Sequence, residues 1–269
     1  MTIYDAAADD WSSLRFVLCD LDGVVWLARE PILGAAKAVA DLREGGRRVL
    51  FVTNNSVSPI AEQEAALAAI GIEAEGDVIT SAQAAASLVL PWEHVLVLGG
   101  PGVIEAIEAR GATVVDGDAG DREPDVVLVG LDRSFDYDRL DRAQRAIRAG
   151  ARFVATNDDA TFPTPRGLIP GGGAIVAAVA TASGVQPVIA GKPHAPMAAL
   201  VRERCGPDFS ARTALMVGDR WSTDGAFARA LGCPFALVRT GVTPPDAEAD
   251  DPAIDAPDLA AVARITRAR

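Results

Sequence analysis

The sequence predicts an α/β protein in which parallel strands are covered by helices. Short apolar runs alternate with amphipathic stretches along the chain. Glycine and proline mark where several of these stretches begin and end. The 269 residues are 49% hydrophobic, 23% charged and 5% aromatic. This composition is typical of a globular protein and excludes a disordered, collagenous or coiled-coil chain.

Nine apolar runs have the length and composition of strands. In chain order they are Phe16–Leu21, Arg48–Thr53, His94–Leu98, Thr113–Val115, Asp125–Leu131, Phe153–Thr156, Pro187–Ala190, Ala214–Val217 and Phe235–Val238. Nine strands are many for one sheet, so we expect two α/β layers.

Helices are predicted between these strands. Ala35–Glu44 stops at Gly45-Gly46, and a second helix opens at Ser58-Pro59 and runs to Ile70. A third helix is indicated by an apolar stripe of Tyr137, Leu140 and Ile147. The segment from Val242 onward is rich in Pro, Asp and Ala, which predicts a loop and a terminal helix over the core.

The charge balance excludes two classes of partner. The chain has 25 basic and 37 acidic residues, which gives a formal net charge of −12. Nucleic acids and anionic membranes require a basic surface that displaces counterions, so we expect neither as a partner. An anionic ligand would require a local reversal of this charge.

Cysteine usage and the lack of targeting signals favour a cytoplasmic protein. Cys19, Cys205 and Cys233 are far apart and form no C-x-x-C pair, so neither a disulfide framework nor a cysteine zinc site is indicated. The acidic N-terminus does not have the pattern of a signal peptide. The uncharged run Gly167–Gly191 is interrupted by proline and glycine, which argues against a membrane span.

Four of the predicted strands end in small groups of polar residues. These groups are Asp20-Leu21-Asp22-Gly23, Thr53-Asn54-Asn55-Ser56, Gly191-Lys192-Pro193 and Gly218-Asp219-Arg220. If the strands are parallel members of one sheet, all four groups meet at its carboxyl edge, where open α/β folds bind ligands.

The residue types in these groups indicate phosphoryl transfer. Asp20, Asp22 and Asp219, with Asp224 as a fourth candidate, would repel one another unless a cation lies among them. A set of oxygen ligands without His or Cys suits Mg²⁺. A lysine, a hydroxyl and loop amides beside such a metal form a receptor for a tetrahedral anion such as phosphate.

In this order, the four groups, with Thr223-Asp224 after the last, resemble the motifs of the haloacid dehalogenase-like phosphatases. The TNNS and GKP variants resemble the subfamily that contains nitrophenyl phosphatases, pyridoxal phosphatase, phosphoglycolate and glycerol-phosphate phosphatases and the nucleotidase NagD. The resemblance spans about Phe16 to Val238.

The resemblance implies a Rossmann-like parallel-sheet core with helices on both faces and an inserted α/β cap domain. Residues 1–80 and 187–269 would form the core, and residues 81–186 would form the cap that closes over the site. A lid would keep water from the site and would read the part of the substrate beyond the phosphate.

The resemblance also implies roles for the acidic residues. Asp20 would be the nucleophile that forms an aspartyl-phosphate. Asp22 would protonate the leaving oxygen and then activate water, while its backbone carbonyl contacts Mg²⁺. Asp20 and Asp219 would bind the metal directly, and Asp224 would bind it through a water or support a ligand.

Thr53, Asn54 and Lys192 would hold the phosphate. Thr53 and the amide of Asn54 would contact phosphate oxygens, and Lys192 would neutralise negative charge. Lys37 and Lys192 are the two lysines, so 23 of the 25 basic residues are Arg. A lysine in this arginine-rich chain suggests that position 192 requires a compact ammonium group. Lys37, on a predicted helix, is interpreted as a solvated surface charge.

Substrate-reading candidates are sought in the cap and near the lysine, because polar loops after strands project from the fold. The candidates are Asn157, Asp159, Thr161, Arg166 and His194. The expected partner is a small phosphomonoester, and a homodimer through the cap is a family-level expectation.

Several motifs have other interpretations. Asp224 has a rival role as the N-cap of a helix over Gly225–Leu231. Gly99-Gly100-Pro101-Gly102 imitates the start of a dinucleotide fingerprint but is expected to be a tight strand-to-helix turn, because Glu105 stands where the third glycine belongs. Asp116, Asp118 and Asp121 resemble a calcium loop loosely and are expected to form a solvated turn, and His94 is expected at the surface.

We therefore expect Mg²⁺-dependent hydrolysis of small phosphate monoesters through an aspartyl-phosphate. Sugar, glycerol, glycolate, pyridoxal and nucleotide phosphates all remain open as substrates. The alternative is a sensor that binds phosphorylated ligands without turnover. A dinucleotide-dependent oxidoreductase is a third hypothesis, which depends on the glycine-rich turn alone.

Overall fold

All nine predicted strands are present in the computed structural model, which describes residues 11–27, 29–115, 122–164, 167–241 and 252–267. In chain order the strands are β1 (Phe16–Cys19), β2 (Trp26–Leu27), β3 (Glu30–Pro31), β4 (Arg48–Thr53), β5 (Val78–Thr80), β6 (His94–Leu98), β7 (Thr113–Val115), β8 (Val126–Val129), β9 (Arg152–Ala155), β10 (Thr161–Thr164), β11 (Gly167–Pro170), β12 (Val188–Ile189), β13 (Ala214–Gly218), β14 (Phe235–Val238) and β15 (Ile254–Ala256).

The helices alternate with these strands, as the sequence pattern predicts. They are α1 (Ala35–Glu44), α2 (Ile60–Ala69), α3 (Ser81–Ala86), α4 (Pro101–Ala109), α5 (Tyr137–Ala149), α6 (Gly172–Ser183), α7 (Ala195–Cys205), α8 (Ala226–Leu231) and α9 (Leu259–Ile265). Single turns of 3₁₀ helix lie at Trp11–Ser13 and Ala211–Thr213, and a π-helical turn spans Trp221–Gly225.

The chain forms two compact units. The first consists of Met1–Thr53, Gln63–Ile79 and Val201–Arg269, and the second consists of Asn54–Glu62 and Thr80–Leu200. The predicted cap, residues 81–186, falls within the second unit, which also contains the Asn54 and Lys192 motifs. The role of this unit as a cap stays a prediction.

The first unit is built on a six-stranded sheet with the order β15-β14-β13-β1-β4-β5. Its central strand β1 pairs in parallel with β13 on one side and with β4 on the other. All four β1 residues are buried, which explains why the strand is a continuous apolar run rather than an alternating one. Helix α1 packs on β4 and α9, and α8 packs on β13.

The second unit contains a separate five-stranded parallel sheet with the order β12-β9-β8-β6-β7. Its core forms where α5 and α6 pack against strands β6, β8 and β9. Strands β10 and β11 form an antiparallel hairpin in the same unit. The prediction of an α/β fold with two sheets is therefore confirmed.

The expectation that four motif strands share one sheet is wrong. Strands β1, β4 and β13 belong to the first sheet, but β12 pairs with β9 in the second, with Val188 beside Val154. An apolar run predicts a strand, but it does not specify the partner, because both sheets offer a parallel strand to pair with. The Lys192 motif therefore follows the second sheet.

Helix boundaries follow the sequence signals closely. Helix α1 has the predicted bounds, and α5 begins after Asp136, whose side chain accepts a hydrogen bond from the Arg139 N–H at 2.8 Å. The prediction that Tyr137 belongs to the buried apolar stripe of α5 is wrong. Ile147 is 4% exposed, whereas Tyr137 is 80% exposed because it lies in the first turn, outside the packed part of the helix.

Several short strands were not predicted from the sequence pattern. Strands β2, β3, β5 and β15 have two or three residues each, and the β10–β11 hairpin is short and contains prolines. Such segments show too few periods of alternation to be recognised.

In the described parts of the chain, the helices are too short or too polar to cross a membrane.

The core of the second unit can be tested with two substitutions on α5. Ile147→Ala removes a buried side chain and should lower the free energy of unfolding by about 2–4 kcal/mol. Tyr137→Ala, on the exposed first turn of the same helix, should change it by less than about 0.5 kcal/mol. Chemical denaturation of both variants measures the difference, and equal losses would contradict this description of the core.

Candidate functional site

Three carboxylates converge at the carboxyl edge of the first sheet. Asp20 follows β1, Asp219 follows the adjacent β13, and Asp224 lies in the π-helical turn after β13. Each residue offers a carboxylate oxygen within 4.8 Å of those of the other two. Asp219 and Asp224 are 5% and 1% exposed, and Asp20 is half-buried. We call these three residues the acid cluster.

The chemistry of the acid cluster fits a hard divalent cation. Carboxylates this close repel one another, and burial in a region of low dielectric constant makes the repulsion stronger. The three donors are all oxygen atoms, without His or Cys in the group, which suits Mg²⁺ or Ca²⁺ rather than a softer metal. A bound cation would offset the charge that the fold brings together.

Asp22 lies beside the acid cluster in sequence but does not belong to it. Its backbone forms an isolated bridge with Trp26, and the Gly23 N–H donates to the Trp26 carbonyl at 2.7 Å. These contacts hold Asp22 in a tight turn at the end of β1. The predicted acid/base role of Asp22, and its metal contact through the backbone carbonyl, stay predictions.

Three glycines surround the two buried carboxylates. Gly23 has φ +85°, and a Cβ atom there would lie 2.5 Å from Asp219 Cγ. A Cβ atom on Gly241 would overlap Asp219 Oδ2, and one on Gly218 would overlap the Asp224 side chain. The backbone therefore approaches Asp219 and Asp224 more closely than any other residue type would allow.

Gly23 and Gly218 belong to the predicted motifs, whereas Gly241 does not. A signal was present, because Arg239-Thr240-Gly241 follows β14 as the other polar groups follow their strands. The Thr240 hydroxyl donates to the Gly23 carbonyl at 2.5 Å, which joins this segment to the turn after β1. Gly241 is therefore part of the site in the first unit.

An ion pair fixes Arg239, the first residue of the segment Arg239-Thr240-Gly241. The Arg239 guanidinium donates to both carboxylate oxygens of Asp255 on β15, at 2.9 and 2.5 Å. The hydrogen bonds from Arg239 lower the pKa of Asp255, and the Asp255 carboxylate raises the pKa of Arg239. The pair therefore fixes the residue directly before Thr240 against the neighbouring strand.

The interpretation of Asp224 as a helix N-cap is wrong. Helix α8 begins at Ala226 with Gly225 at its N-cap, and that cap has no side-chain hydrogen bond. Asp224 Oδ2 instead accepts a hydrogen bond from the Arg220 N–H at 3.2 Å within the π-helical turn. The extra residue in this turn directs the Asp224 carboxylate into the acid cluster.

Thr53 and Asn54 are adjacent in sequence but differ in environment. Thr53 is the buried last residue of β4 in the first unit. The Asn54 side chain, in the second unit, binds the backbone of Lys192 twice. Asn54 Oδ1 accepts from the Lys192 N–H at 2.8 Å, and Asn54 Nδ2 donates to the Lys192 carbonyl at 3.0 Å.

Lys192 is one of the largest fully buried side chains of the protein, at 1% exposure. Burying an ammonium group is costly unless it is paired and hydrogen-bonded, so the environment of Lys192 differs from that of a surface lysine. Lys37 is the opposite case, since its side chain is 78% exposed and forms an i,i+4 ion pair with Asp41 at 2.8 Å. The interpretation of Lys37 as a surface charge is confirmed.

The substrate-reading candidates that the structure describes differ in their contacts. Asn157 and Asp159 are bonded to Asn54, whereas His194 Nε2 lies 3.2 Å from Asp158 Oδ2. Thr161 is exposed at the start of β10. Arg166 lies outside the described residues, as do Asp116, Asp118, Asp121 and the segment from Val242 to residue 251.

The glycine-rich turn after β6 packs against a loop of its own unit. The Gly102 N–H donates to the Val57 carbonyl at 2.8 Å, and a Cβ atom on Gly100 would lie 2.8 Å from Val57 Cγ1. These glycines allow the backbone contact that begins α4. The interpretation as a tight turn is confirmed, and the dinucleotide hypothesis loses the feature on which it depended.

The three cysteines and His94 lie outside the acid cluster. Cys19 is fully buried in β1, and burial raises the pKa of Cys205 to about 11 and that of Cys233 to about 12. These two thiols are protonated at neutral pH and are unsuited to act as thiolate ligands or nucleophiles. His94, expected at the surface, is partly buried, with its ring beside the Asp125 carboxylate, and its backbone N–H donates to Asp125 Oδ2 at 2.8 Å.

Family models match both ends of the chain. The haloacid dehalogenase-like hydrolase model matches residues 17–113, and a second, HAD-hydrolase-like model matches residues 189–266. The first of these regions contains Asp20, Asp22, Thr53 and Asn54, and the second contains Lys192, Asp219 and Asp224.

The chain is also similar to curated proteins. The chain is 44% identical over 232 residues to the D-glycerol 3-phosphate phosphatase of Mycobacterium tuberculosis, which covers 84% of this chain and 63% of the relative. The chain thus spans less than two-thirds of that protein. It is 37% identical over 238 residues to the 5'-nucleotidase YutF of Bacillus subtilis, covering 87% of this chain and 90% of the relative.

The fold is also similar to solved structures. A crystal structure of the M. tuberculosis glycerol phosphate phosphatase in complex with magnesium matches with a TM-score of 0.83 and 39% identity. The match covers 96% of this chain and 78% of that one. The similarity therefore extends over both units of the protein.

The glycine next to the acid cluster provides a test of cation binding. Gly23→Ala should displace the Asp219 carboxylate and weaken the affinity for Mg²⁺ by about 10-fold or more, as measured by calorimetric titration. Gly34→Ala is the matched control, because Gly34 also has φ +85° but its added Cβ would meet only Ala260 Cβ, at 3.7 Å. Equal losses in both variants would show that backbone strain, rather than the position of Asp219, sets the affinity.

Proposed function

Because the chain belongs to the haloacid dehalogenase-like hydrolase family, we propose that it hydrolyses small phosphate monoesters. The observation that carries the proposal is the acid cluster at the end of β1, with Asp20 as its most exposed member. The names of the relatives, a glycerol 3-phosphate phosphatase and a 5'-nucleotidase, support the same class of reaction.

In the proposed reaction, an oxygen of Asp20 attacks phosphorus while the bond from phosphorus to the ester oxygen breaks. The products of this step are an aspartyl-phosphate and an alcohol, whose oxygen takes the proton of Asp22. A water molecule then attacks the phosphorus and gives its proton to Asp22. The Asp20 carboxylate is restored, and inorganic phosphate is released.

The acid cluster would hold Mg²⁺. Asp20 and Asp219 are the proposed direct ligands, together with the backbone carbonyl of Asp22, and Asp224 supports the site through a water or a hydrogen bond. Bound Mg²⁺ supplies positive charge that lets an anionic phosphate approach anionic carboxylates. The glycines around Asp219 and Asp224 keep these carboxylates in place before the cation binds.

The phosphate group would be recognised by a hydroxyl, a backbone amide and an ammonium group. Thr53 offers its hydroxyl and Lys192 its charge. The Asn54 carboxamide is already bonded to the Lys192 backbone, so the backbone N–H is the group that Asn54 would offer to the phosphate. Together with the metal, Lys192 would reverse the negative charge of the protein locally.

Residues 81–186, which lie within the second unit, are proposed as the cap. Separation of the chain into two compact units supports a division of labour, since the acid cluster lies in the first unit. A surface on the second unit would then read the alcohol part of the substrate. The homodimer through this unit stays a prediction.

A sensor that binds phosphorylated ligands without turnover is the alternative. The presence of both Asp20 and Asp22 weighs against it, because a binding protein has no use for an acid/base carboxylate two residues from a nucleophile. Release of phosphate from p-nitrophenyl phosphate with Mg²⁺, and its loss with EDTA, would separate an enzyme from a sensor.

The relatives differ in substrate, so a panel of phosphate esters is needed to identify the alcohol part of the substrate.

The nucleophile assignment predicts the effect of one isosteric change. Asp20→Asn should lower kcat for p-nitrophenyl phosphate by at least about 10³-fold, because a carboxamide is too weak a nucleophile to form the acyl-phosphate. The circular dichroism spectrum should be unchanged, since Asn fills the same volume. A variant that keeps a substantial part of kcat would refute the role of Asp20.

The two lysines form a natural pair for a test of Lys192. Lys192→Arg places a larger, planar group at a fully buried position and should lower kcat/KM by about 100-fold. Lys37→Arg, at the exposed lysine, should leave kcat/KM within about 2-fold of the wild-type value. Thermal melting of both variants separates a loss of catalysis from a loss of folding, and comparable activities would contradict the need for an ammonium group at position 192.

A further inference from the structure

The carboxamide of Asn54 is the link between the loop after β4 and the loop that carries Lys192. Its oxygen accepts from the Lys192 N–H at 2.8 Å, and its nitrogen donates to the Lys192 carbonyl at 3.0 Å. These two bonds fix the backbone of Lys192 on both sides of its α-carbon. The position of the ammonium group therefore depends on the orientation of one amide.

Asp159 determines that orientation. The Asn54 nitrogen also donates to Asp159 Oδ2, at 3.0 Å. An ionised carboxylate only accepts hydrogen bonds, so it requires the NH₂ end of the Asn54 amide on its side. With the amide reversed, an oxygen would face the Asp159 carboxylate and the Lys192 carbonyl, and the Lys192 N–H would lose its acceptor.

Asn157 links the backbone of Asp159 to the backbone of Asn54 through two hydrogen bonds. Its oxygen accepts from the Asp159 N–H at 3.2 Å, and its nitrogen donates to the Asn54 carbonyl at 2.9 Å. Asn157 is 5% exposed, and both ends of its amide are used inside the protein. It is therefore badly placed for the substrate-reading role that the sequence predicts for it.

The same contact leaves little freedom for the lysine loop. A Cβ atom on Gly191 would lie 2.6 Å from Asn54 Oδ1 and 2.5 Å from the Thr156 carbonyl oxygen. The loop that carries Lys192 thus packs directly on Asn54 and on the turn after β9. One hydrogen-bonded network therefore joins three segments: the turn from Thr156 to Asp159, the Asn54 loop and the Lys192 loop.

We infer that Asn157 and Asp159 are positioning residues that set the place of Lys192 through the Asn54 carboxamide. This inference rests on the proposed function, in which Lys192 binds the phosphate group. It assigns the turn after β9 to the support of the phosphate site, and not to discrimination between substrates. Every phosphomonoester shares the phosphate group, so a change in this network should affect all substrates by the same factor.

The test uses Asp159→Ala and Asp159→Asn in the full-length protein. Asp159→Ala should lower kcat/KM by roughly 10- to 100-fold for glycerol 3-phosphate, a nucleoside monophosphate and p-nitrophenyl phosphate alike. It should weaken binding of inorganic phosphate by a similar factor, while the affinity for Mg²⁺ is unchanged. Asp159→Asn should recover most of both losses, because an amide oxygen still accepts from Asn54.

Asn157→Asp probes the network without a change of volume, in case Asp159→Ala does not fold. Its carboxylate lacks the donor that holds the Asn54 carbonyl, so the same uniform loss is expected. Asp158→Ala is the matched control, since Asp158 is the exposed neighbour whose carboxylate faces His194 and not Asn54. Its affinity for inorganic phosphate should equal that of the wild-type protein.

The outcomes are distinct. A loss that differs between substrates would make Asp159 a substrate-reading residue and overturn the inference, and so would unchanged phosphate affinity in both Asp159→Ala and Asn157→Asp. A wild-type protein that releases no phosphate from any ester would refute the proposed function instead. In that case, calorimetric binding of inorganic phosphate still tests the effect of Asp159 on Lys192, because binding requires no turnover.

Discussion

The mutual repulsion of Asp20, Asp219 and Asp224 is the constraint on which the rest of the first unit depends. The fold buries two of these carboxylates, which opposes the ordinary preference of charge for water. The backbone approaches these two carboxylates closely at three glycines. The glycines at 23, 218 and 241 come from three strand ends of one sheet, so the parallel order of β1, β13 and β14 is needed to bring them together.

The second unit solves the opposite problem, since it contains a buried positive charge. Lys192 is held by its backbone through Asn54, and Asn54 is in turn oriented by Asp159. The carboxylate that orients the amide is only half-buried, and it contacts a neutral group. The backbone of Lys192 is thereby fixed by two hydrogen bonds to Asn54.

Much of the fold could be predicted from the sequence, because buried parallel strands are continuous apolar runs and helix ends carry Gly, Pro and Asp. All nine predicted strands exist, and α1 has the predicted bounds. The pairing of β12 with β9 could not be predicted, because a strand of two residues carries no information about its partner. The bonds of Asn157 and Asp159 were equally hidden, since a polar turn after a strand has the same composition whether it faces solvent or supports a neighbouring loop.

The scarcity of lysine connects composition to the site. A net charge of −12 disfavours polyanions, yet the proposed reaction requires an anionic substrate. A diffuse increase in basic residues would attract nucleic acids as well as phosphate esters. In the proposed function, one buried lysine, whose backbone is fixed by a neutral amide, supplies positive charge for a small phosphate. An acidic surface with few lysines therefore favours small phosphates over polymeric anions as the proposed substrates.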